Sequence, residues 1–255
     1  MNERPRAVAL IPARSGSGRL PDKNIRTFLG HPMLAYAITA ARNAGVFEAV
    51  VLSSDSESYL RIGAHYGAEG ILRPPELATS TSDLVGVALH ALDQVATRGE
   101  DPEILCLMMP CCPLRQSNEV RRHFEVFCSK GHAFQLSVMD YAFSYPQWAM
   151  ELATDGAMKR HWIDEALGPS QDLHKLYAPS GAIWLVRVDE LRKQRAFYGR
   201  PLYGEPIPMP QGIDIDTPED FQMAQALALG YLELDGRSLL EPIDRASVST
   251  VDERT

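Results

Sequence analysis

Three cationic side chains surround a loop of small residues near the start of the chain, directly after a short apolar run. The cations are Arg14, Arg19 and Lys23, and the glycines Gly16 and Gly18 stand among them. Glycine has no Cβ, so the backbone N–H groups of such a loop can approach a ligand closely. This chemistry suits a polyanion such as a triphosphate. The alternative is a basic surface loop after an edge strand, because the spacing matches neither common phosphate-binding glycine motif.

Two carboxylates near the end of the chain form a second candidate site. Asp214 and Asp216 flank the apolar Ile215. In an extended segment alternate residues project to the same side, so both carboxylates would converge. Such a pair suits Mg²⁺, which binds one or two carboxylates together with substrate phosphates. The alternative is an ordinary acidic turn in which Asp216 or Thr217 only caps the next helix.

The segments between these two sites alternate between strand and helix patterns. Short apolar runs predict strands at residues 7–11, 49–53, 103–109, 134–138 and 181–188, with a last short strand at 205–209. Apolar residues at helical spacing predict helices at 32–45, 83–96, 118–128 and after Thr217. Alternation of this kind is typical of an α/β fold with a mostly parallel sheet and helices on both faces. Since ligands bind at the carboxyl ends of parallel strands, we expect the two sites to share one cleft.

The chain of 255 residues is long enough to bury one sizeable core. We expect a single domain over residues 1–235, with an inserted arm at about 140–178 where aromatic residues follow no regular period. Such an arm is typical of a lid or a subunit contact, and the alternative is a surface excursion with its own small cluster. Residues 236–255 are polar and predict a loosely held tail.

Composition excludes several classes of function. A formal net charge of −8 argues against broad nucleic-acid binding, which needs a basic face. We expect no membrane span, because no apolar run approaches ~18 residues, and we expect a cytoplasmic protein. The four cysteines form no Cys-x-x-Cys pair, and the adjacent Cys111 and Cys112 do not have the spacing of a zinc clamp. Small buried thiols in a reducing compartment are the expected interpretation.

Six segments, in order along the chain, resemble the acylneuraminate cytidylyltransferases, enzymes that make CMP-activated nonulosonic acids from CTP. The resemblance extends from residue 7 to about residue 230 and is carried by residues 11–17 with 20–24, 72–78, 110–115, 170–173, 180–184 and 213–220. It implies a Rossmann-like nucleotidyltransferase fold. It also implies that the inserted arm carries a hairpin that packs across a homodimer.

The same resemblance implies roles for individual residues. Arg14 and Lys23 would hold the triphosphate and the developing pyrophosphate charge, and Asp216, with Asp214, would hold Mg²⁺. Catalytic roles therefore fall to Arg14, Lys23 and Asp216. The implied nucleotide-binding set is Ala13, Arg14, Ser15, Gly16, Arg19, Lys23, Asn24 and Arg73, in which the backbone of residues 13–15 reads the cytosine.

The acceptor side departs from the family pattern. Related enzymes have Lys at the position of Gly18, Gln at Met109 and Asn at Ser180, and they have an arginine at Pro169. Gln171 and Tyr177 are the implied sugar contacts, and Arg115 or Arg160 would replace the missing cation.

Together the residues and the resemblance predict a Mg²⁺-dependent enzyme that transfers CMP from CTP to an acidic nine-carbon sugar and releases pyrophosphate. One alternative is the same reaction on another anionic acceptor, such as Kdo or a phosphonate. Another is a non-catalytic nucleotide-binding module that has kept the fold.

Overall fold

The structure, a computed structural model, describes residues 4–79, 82–141, 145–161, 170–241 and 243. Its centre is a seven-stranded sheet. The strands of the sheet are β1 (Ala7–Pro12), β4 (Ala49–Ser54), β5 (Glu69–Leu72), β6 (Ile104–Leu107), β7 (Phe134–Asp140), β10 (Tyr177–Arg187) and β11 (Leu202–Pro206). Two small hairpins lie outside it, formed by β2 (Thr27–Phe28) with β3 (His31–Pro32) and by β8 (Met150–Leu152) with β9 (Met158–Arg160).

The sheet has the strand order β11-β7-β10-β6-β1-β4-β5. Strand β1 lies near its centre and pairs in parallel with both β4 and β6, and β4 pairs in parallel with β5. Strand β10 runs antiparallel to β6 and β7, whereas β7 and β11 pair in parallel. The predicted mostly parallel sheet is thus confirmed, with one reversed strand that its sequence pattern did not indicate.

Helices cover both faces of the sheet. They are α1 (Met33–Ala44), α2 (Glu57–His65), α3 (Leu84–Ala96), α4 (Ser117–Lys130), α5 (Val188–Gln194), α6 (Met209–Gly212) and α7 (Pro218–Asp235). Alternate residues of β1 point to opposite faces, as a strand requires. Ala9 and Ile11 pack in the cluster that contains α1 and α4, whereas Val8 and Leu10 pack in the cluster that contains α3. The predicted α/β fold with helices on both faces is therefore confirmed.

A third apolar cluster lies under the segments singled out in the sequence. It joins Leu20 of the cationic loop, Cys111 and Leu114 of the turn after β6, and Ile215 between the two carboxylates. Helix α7 contributes Phe221 and Ala224 among others. The cluster packs three chain segments that are distant in sequence against each other, so it fixes their relative positions.

The segment predicted as an inserted arm contains the β8–β9 hairpin, whose strand residues are all exposed. Residues 142–144 and 162–169 of this arm lie outside the described residues, as does most of the predicted tail. The start of that tail differs from the expectation of a loose segment. Leu239 and Glu241 are buried, and the Glu241 carboxylate accepts hydrogen bonds from Asn43 Nδ2 at 2.8 Å and Ser117 N at 2.7 Å.

Candidate active site

The cationic loop, which follows β1, and the acidic pair line one cleft of about 280 Å³. Seven of the predicted site residues contribute to its wall: Arg14, Arg19, Lys23, Asn24, Arg73, Asp214 and Asp216. Ile215 is fully buried beneath the pair. The side chains of this segment therefore alternate as expected, with both carboxylates at the cleft and Ile215 in the core.

Asp216 is shared between two cations of the loop. Its Oδ1 accepts a hydrogen bond from Lys23 Nζ at 2.9 Å, and its Oδ2 accepts one from Arg19 Nη2 at 2.7 Å. The Arg19 side chain is 69% exposed, whereas that of Lys23 is only 15% exposed. Residues separated by nearly two hundred positions in the chain are thus in direct contact across the cleft.

The contact between Asp216 and Lys23 lowers the pKa of the carboxyl group and raises the pKa of the amine. Burial alone would raise the pKa of Asp216, but the hydrogen bond and charge of Lys23, with Arg19, hold it below 3.8. Burial lowers the pKa of Lys23, but the interactions with Cys111 and Asp216 outweigh it and raise that pKa above 10.5. At neutral pH both groups are charged, so the cleft holds a fixed cation beside a fixed anion.

Asp214 lies in a different environment from Asp216. It opens onto the cleft, but the surrounding protein removes enough water to raise the pKa of its carboxyl above 3.8, despite a hydrogen bond with Cys111 and the charge of Lys23. A hydrogen bond from Ile215 N to the Cys111 carbonyl, 2.9 Å long, joins the two segments. The Cys111 thiol has a pKa well above 9.0, because of its hydrogen bond with Cys112 and its burial.

Hydrogen bonds fix the backbone of the cationic loop. Ser15 donates from its N–H and its Oγ to the two carboxylate oxygens of Asp55, at 2.7 and 2.6 Å. The amide of the buried Asn24 donates to the Arg14 carbonyl at 3.0 Å, and Arg14 itself donates from Nη1 to the Gly16 carbonyl at 2.9 Å. Gly16 has a φ of +72°, a conformation that favours glycine. The loop is therefore held in shape by its own polar contacts.

Arg73 lines the cleft and also forms hydrogen bonds with the protein around it. It is buried, and its guanidinium donates to the Ser53 side chain and carbonyl and to the Leu77 carbonyl. Burial lowers its pKa, and the charge of Asp55 partly offsets this. Arg73 thus braces the end of β4 in this conformation, with part of its surface facing the cleft.

The two aspartates fit a divalent cation of the magnesium type. Hard oxygen ligands are what Mg²⁺ takes from proteins, and the ion usually keeps room for water and substrate phosphates. Asp214 and Asp216 both face the same cleft, and neither carboxylate is sealed in the core. The donor set therefore matches the ion that the sequence predicts.

Three predicted sugar contacts do not face this cleft. Arg115 is fully buried, and its Nη1 donates to the Met109 and Ala182 carbonyls at 3.2 and 2.6 Å, so it is not presented to a substrate in this conformation. Gln171 and Tyr177 are exposed and are absent from the described cleft lining. Pro169, where the family pattern has an arginine, lies outside the described residues.

Of the predicted nucleotide set, Ala13, Ser15 and Gly16 lie within the loop but do not line the cleft. Sequence reasoning also missed several residues. Asp55 clamps Ser15, and Cys111 lies beside Asp214. Both follow strands that pair with β1, so the parallel pairing itself was a signal, because loops after neighbouring parallel strands meet at one edge.

Comparison with known proteins identifies the kind of protein that this chain resembles. A family model described as cytidylyltransferase matches residues 8–102, which include the cationic loop. The CMP-N,N'-diacetyllegionaminic acid synthase of Legionella pneumophila is 28% identical over 239 residues, which are 92% of this chain and all of that protein. A pseudaminic acid cytidylyltransferase of Campylobacter jejuni is 29% identical over 224 residues, 86% of this chain and 95% of that protein.

Longer relatives and solved structures complete the comparison. The N-acylneuraminate cytidylyltransferase of Escherichia coli is 29% identical over 221 residues, which are 87% of this chain and 52% of that protein, so the chain spans about half its length. The structure of CMP:2-keto-3-deoxy-manno-octonic acid synthetase complexed with CTP superposes with a TM-score of 0.67 at 16% identity, covering 89% of this chain and 100% of that chain, and shows the shared fold. Over most of its length the chain is similar to cytidylyltransferases, which are nucleotidyltransferase enzymes.

Proposed function

We propose that this enzyme transfers CMP from CTP to a nonulosonic acid, an acidic nine-carbon sugar, and releases pyrophosphate. The observation that carries the proposal is the contact of Lys23 with Asp216, which joins a cationic loop and an acidic pair in one cleft. Support for the acceptor comes from the relatives named for legionaminic, pseudaminic and acylneuraminic acids, two of which match over almost their whole length.

In this reaction a hydroxyl of the sugar attacks the α-phosphorus of CTP, and the bond to pyrophosphate breaks. Positioning and charge neutralisation supply most of the acceleration in such transfers. Arg14 and Lys23 would hold the phosphate oxygens and offset the charge that develops on pyrophosphate. Arg19 is long and exposed, so it is free to leave Asp216 for the triphosphate.

Asp214 and Asp216 would hold Mg²⁺ in this proposal. When bound, such an ion neutralises phosphate charge and polarises the reacting oxygen atoms. The contribution of the protein is to keep the two carboxylates beside Lys23. Ile215, buried between them, anchors the segment that carries both.

Two further parts of the proposal concern the surroundings of the site. We assign Gln171 and Tyr177 to the sugar, which places the acceptor between the cleft and the arm.

We also propose a homodimer that forms through the arm, because exposed apolar side chains gather there: Tyr145, Trp148, Met150, Leu152 and Met158. No helix in the part of the chain that the structure describes is long and apolar enough to cross a membrane, and we place the reaction in the cytoplasm, where CTP is available.

A pyrophosphate-release assay with CTP and a panel of acids tests the proposal. The panel contains sialic, legionaminic and pseudaminic acids, Kdo and a phosphonate, each with Mg²⁺ or Mn²⁺. Release with a nonulosonic acid is expected. Release with Kdo or the phosphonate alone would assign a different acceptor, and no release with any acid would point to a nucleotide-binding module instead.

A further inference from the structure

The floor of the cleft carries two thiols beside one of the carboxylates. Cys111 and Cys112 follow β6 in a turn, and Cys111 lines the cleft whereas Cys112 lies fully buried behind it. One ligand atom of each cysteine and one carboxylate oxygen of Asp214 all lie within 4.8 Å of one another. Within the described ranges, this is the group of at least three Cys, His, Asp or Glu side chains that is compact enough to hold a metal ion.

The spacing of these atoms is close to that of a shared metal ion. Zinc bonds to sulfur are about 2.3 Å long, and its bonds to carboxylate oxygen are about 2.0–2.2 Å long. Small side-chain rotations would therefore bring all three atoms onto one ion. The hydrogen bond from Ile215 N to the Cys111 carbonyl, at 2.9 Å, already holds the backbones of the two segments together.

A buried cation next to this group supplies a second, independent observation. Arg115 is 1% exposed, and its Nε and Nη2 atoms have no hydrogen-bond partner among the described residues. The charge of this guanidinium interacts with Cys111, Cys112 and Asp214. An uncompensated buried charge is costly, so a ligand that brings negative charge to the group beside it would stabilise this guanidinium.

A bound divalent metal ion would leave the group with a net charge that balances the charge of Arg115. Cysteine binds metal as thiolate, so a divalent ion displaces one proton from each thiol. Two thiolates, one carboxylate and a divalent cation sum to one negative charge, which the single positive charge of Arg115 offsets. Arg115, which the sequence suggested as a sugar contact, thus has an electrostatic role behind the cleft.

We propose that Cys111, Cys112 and Asp214 form a site for a thiophilic divalent cation of the zinc or cadmium class, at the floor of the nucleotide cleft. Thiolates select such soft ions over Mg²⁺, which prefers oxygen ligands alone. The site revises the view from sequence that adjacent cysteines here have no metal role, because a third ligand arrives from a segment about one hundred residues later.

One consequence depends on the proposed function of the cleft. Asp214 is there a ligand of Mg²⁺, so a thiophilic ion that takes Asp214 would compete with Mg²⁺. Zinc would then inhibit cytidylyl transfer, and added Mg²⁺ would relieve part of the inhibition. Metal binding itself can be measured without CTP or any acceptor, so it does not depend on the reaction.

Titration of the fully reduced full-length protein with Cd²⁺ tests the site through the ultraviolet charge-transfer band of cadmium thiolate. One equivalent of Cd²⁺ per chain is expected to produce the band in the presence of excess Mg²⁺. Cys111→Ser and Cys112→Ser should each weaken binding by at least about tenfold, and Asp214→Asn should weaken it less. The matched control is Cys128→Ser, which alters a free cysteine of α4 outside the group and should leave binding unchanged.

An affinity for Cd²⁺ that is unchanged in the Cys111→Ser variant, or that is weakened in the Cys128→Ser variant, would overturn the proposal. If a variant fails to fold, the site can be tested in the wild-type protein by the protection of its thiols from alkylation. Bound Zn²⁺ should slow alkylation of Cys111, detected by peptide mass spectrometry, and unchanged alkylation would reject the site. Binding without cytidylyl transfer would uphold the site and reject the proposed function, whereas transfer without binding would do the reverse.

Discussion

Asp216 divides its two carboxylate oxygens between cations of very different burial. The bond to Arg19 spans 2.7 Å and involves a largely exposed guanidinium, so it contributes little to stability, about 0–1 kcal/mol. The bond to Lys23 spans 2.9 Å, and the lysine is mostly covered. We infer that Lys23 keeps its place in the cleft while Arg19 is the cation that moves when a triphosphate arrives.

Asp214 leads to a prediction about stability. Its pKa is raised in the folded protein, mainly because the surrounding protein removes water from the carboxyl group. As pH rises above about 4, the unfolded chain releases this proton while the folded chain still binds it, so Asp214 lowers folding stability across that interval. Asparagine does not titrate, so Asp214→Asn should raise the urea midpoint at pH 7, and the gain should shrink as the pH falls towards about 4.

Equilibrium unfolding of the two proteins in urea at both pH values provides the measurement. A lower midpoint for the variant at pH 7 would show that the attraction of Lys23 outweighs the desolvation of the Asp214 carboxyl. The control is Asp101→Asn, since the Asp101 side chain is 85% exposed and should give no pH-dependent gain.

Residue types and spacing were enough to predict the main charged groups of the cleft. Arg14, Lys23, Asp214 and Asp216 were found because charge and glycine spacing are visible in a linear sequence. The burial of Arg115 was not visible, since it depends on carbonyls of Met109 and Ala182 that only the folded sheet brings near. Long-range packing of this kind has no local signature.

At the scale of elements, the acidic segment is positioned by the start of α7. The Thr217 side chain accepts a hydrogen bond from Asp220 N at 3.2 Å, and the Asp220 carboxylate accepts one from Thr217 N at 2.8 Å. The Asp220 carboxylate of this capping box also accepts a hydrogen bond from Asp216 N at 3.0 Å. The cap of the helix and the backbone of the candidate metal ligand are thus one hydrogen-bonded unit.

Removal of this cap should affect stability by a measurable amount. Thr217→Ala is expected to lower the free energy of unfolding by about 1 kcal/mol, the usual contribution of an N-terminal cap. Chemical denaturation followed by circular dichroism measures it. Thr97→Ala is the control, because the Thr97 hydroxyl donates to the Gln94 carbonyl at an exposed helix end. An equal loss in both variants would contradict the capping role.

The strand and helix order was largely predictable, but the direction of β10 was not. Apolar runs identify buried strands, and the observed β4, β7 and β10 overlap the predicted runs closely. Their direction depends on the connection, and the described part of the chain between β7 and β10 forms the arm and contains no crossover helix. The short β5 was missed as well, because only Ile71 of its four residues is buried.

At the scale of the whole molecule, charge and apolar surface are unevenly distributed. The chain carries a formal net charge of −8, yet four cationic side chains line one cleft, which suits an anionic nucleotide. The exposed apolar side chains of the arm lie on a separate segment. Leu152 and Met158 pair across the β8–β9 hairpin and are 72% and 62% exposed.

These exposed side chains predict the oligomeric state. We expect the wild-type chain of 28.3 kDa to have the mass of a dimer in light scattering after size exclusion. Leu152→Glu with Met158→Glu should give a monomer, because it places charge on the apolar contact. Leu234→Glu is the matched control, since Leu234 is 85% exposed on α7. A wild-type monomer, or a dimer that survives the double substitution, would contradict the arm interface.

The proposed reaction requires Asp216, held beside Lys23, to act on the nucleotide together with a metal ion. The most direct test is the pyrophosphate-release rate of Asp216→Asn with CTP, Mg²⁺ and the accepted acid. We expect a fall in kcat of about 100-fold or more, with an unchanged circular dichroism spectrum. We expect no fall for Asp189→Asn, which alters an exposed carboxylate paired with Arg187. Turnover by Asp216→Asn at the wild-type rate would rule out this role of Asp216.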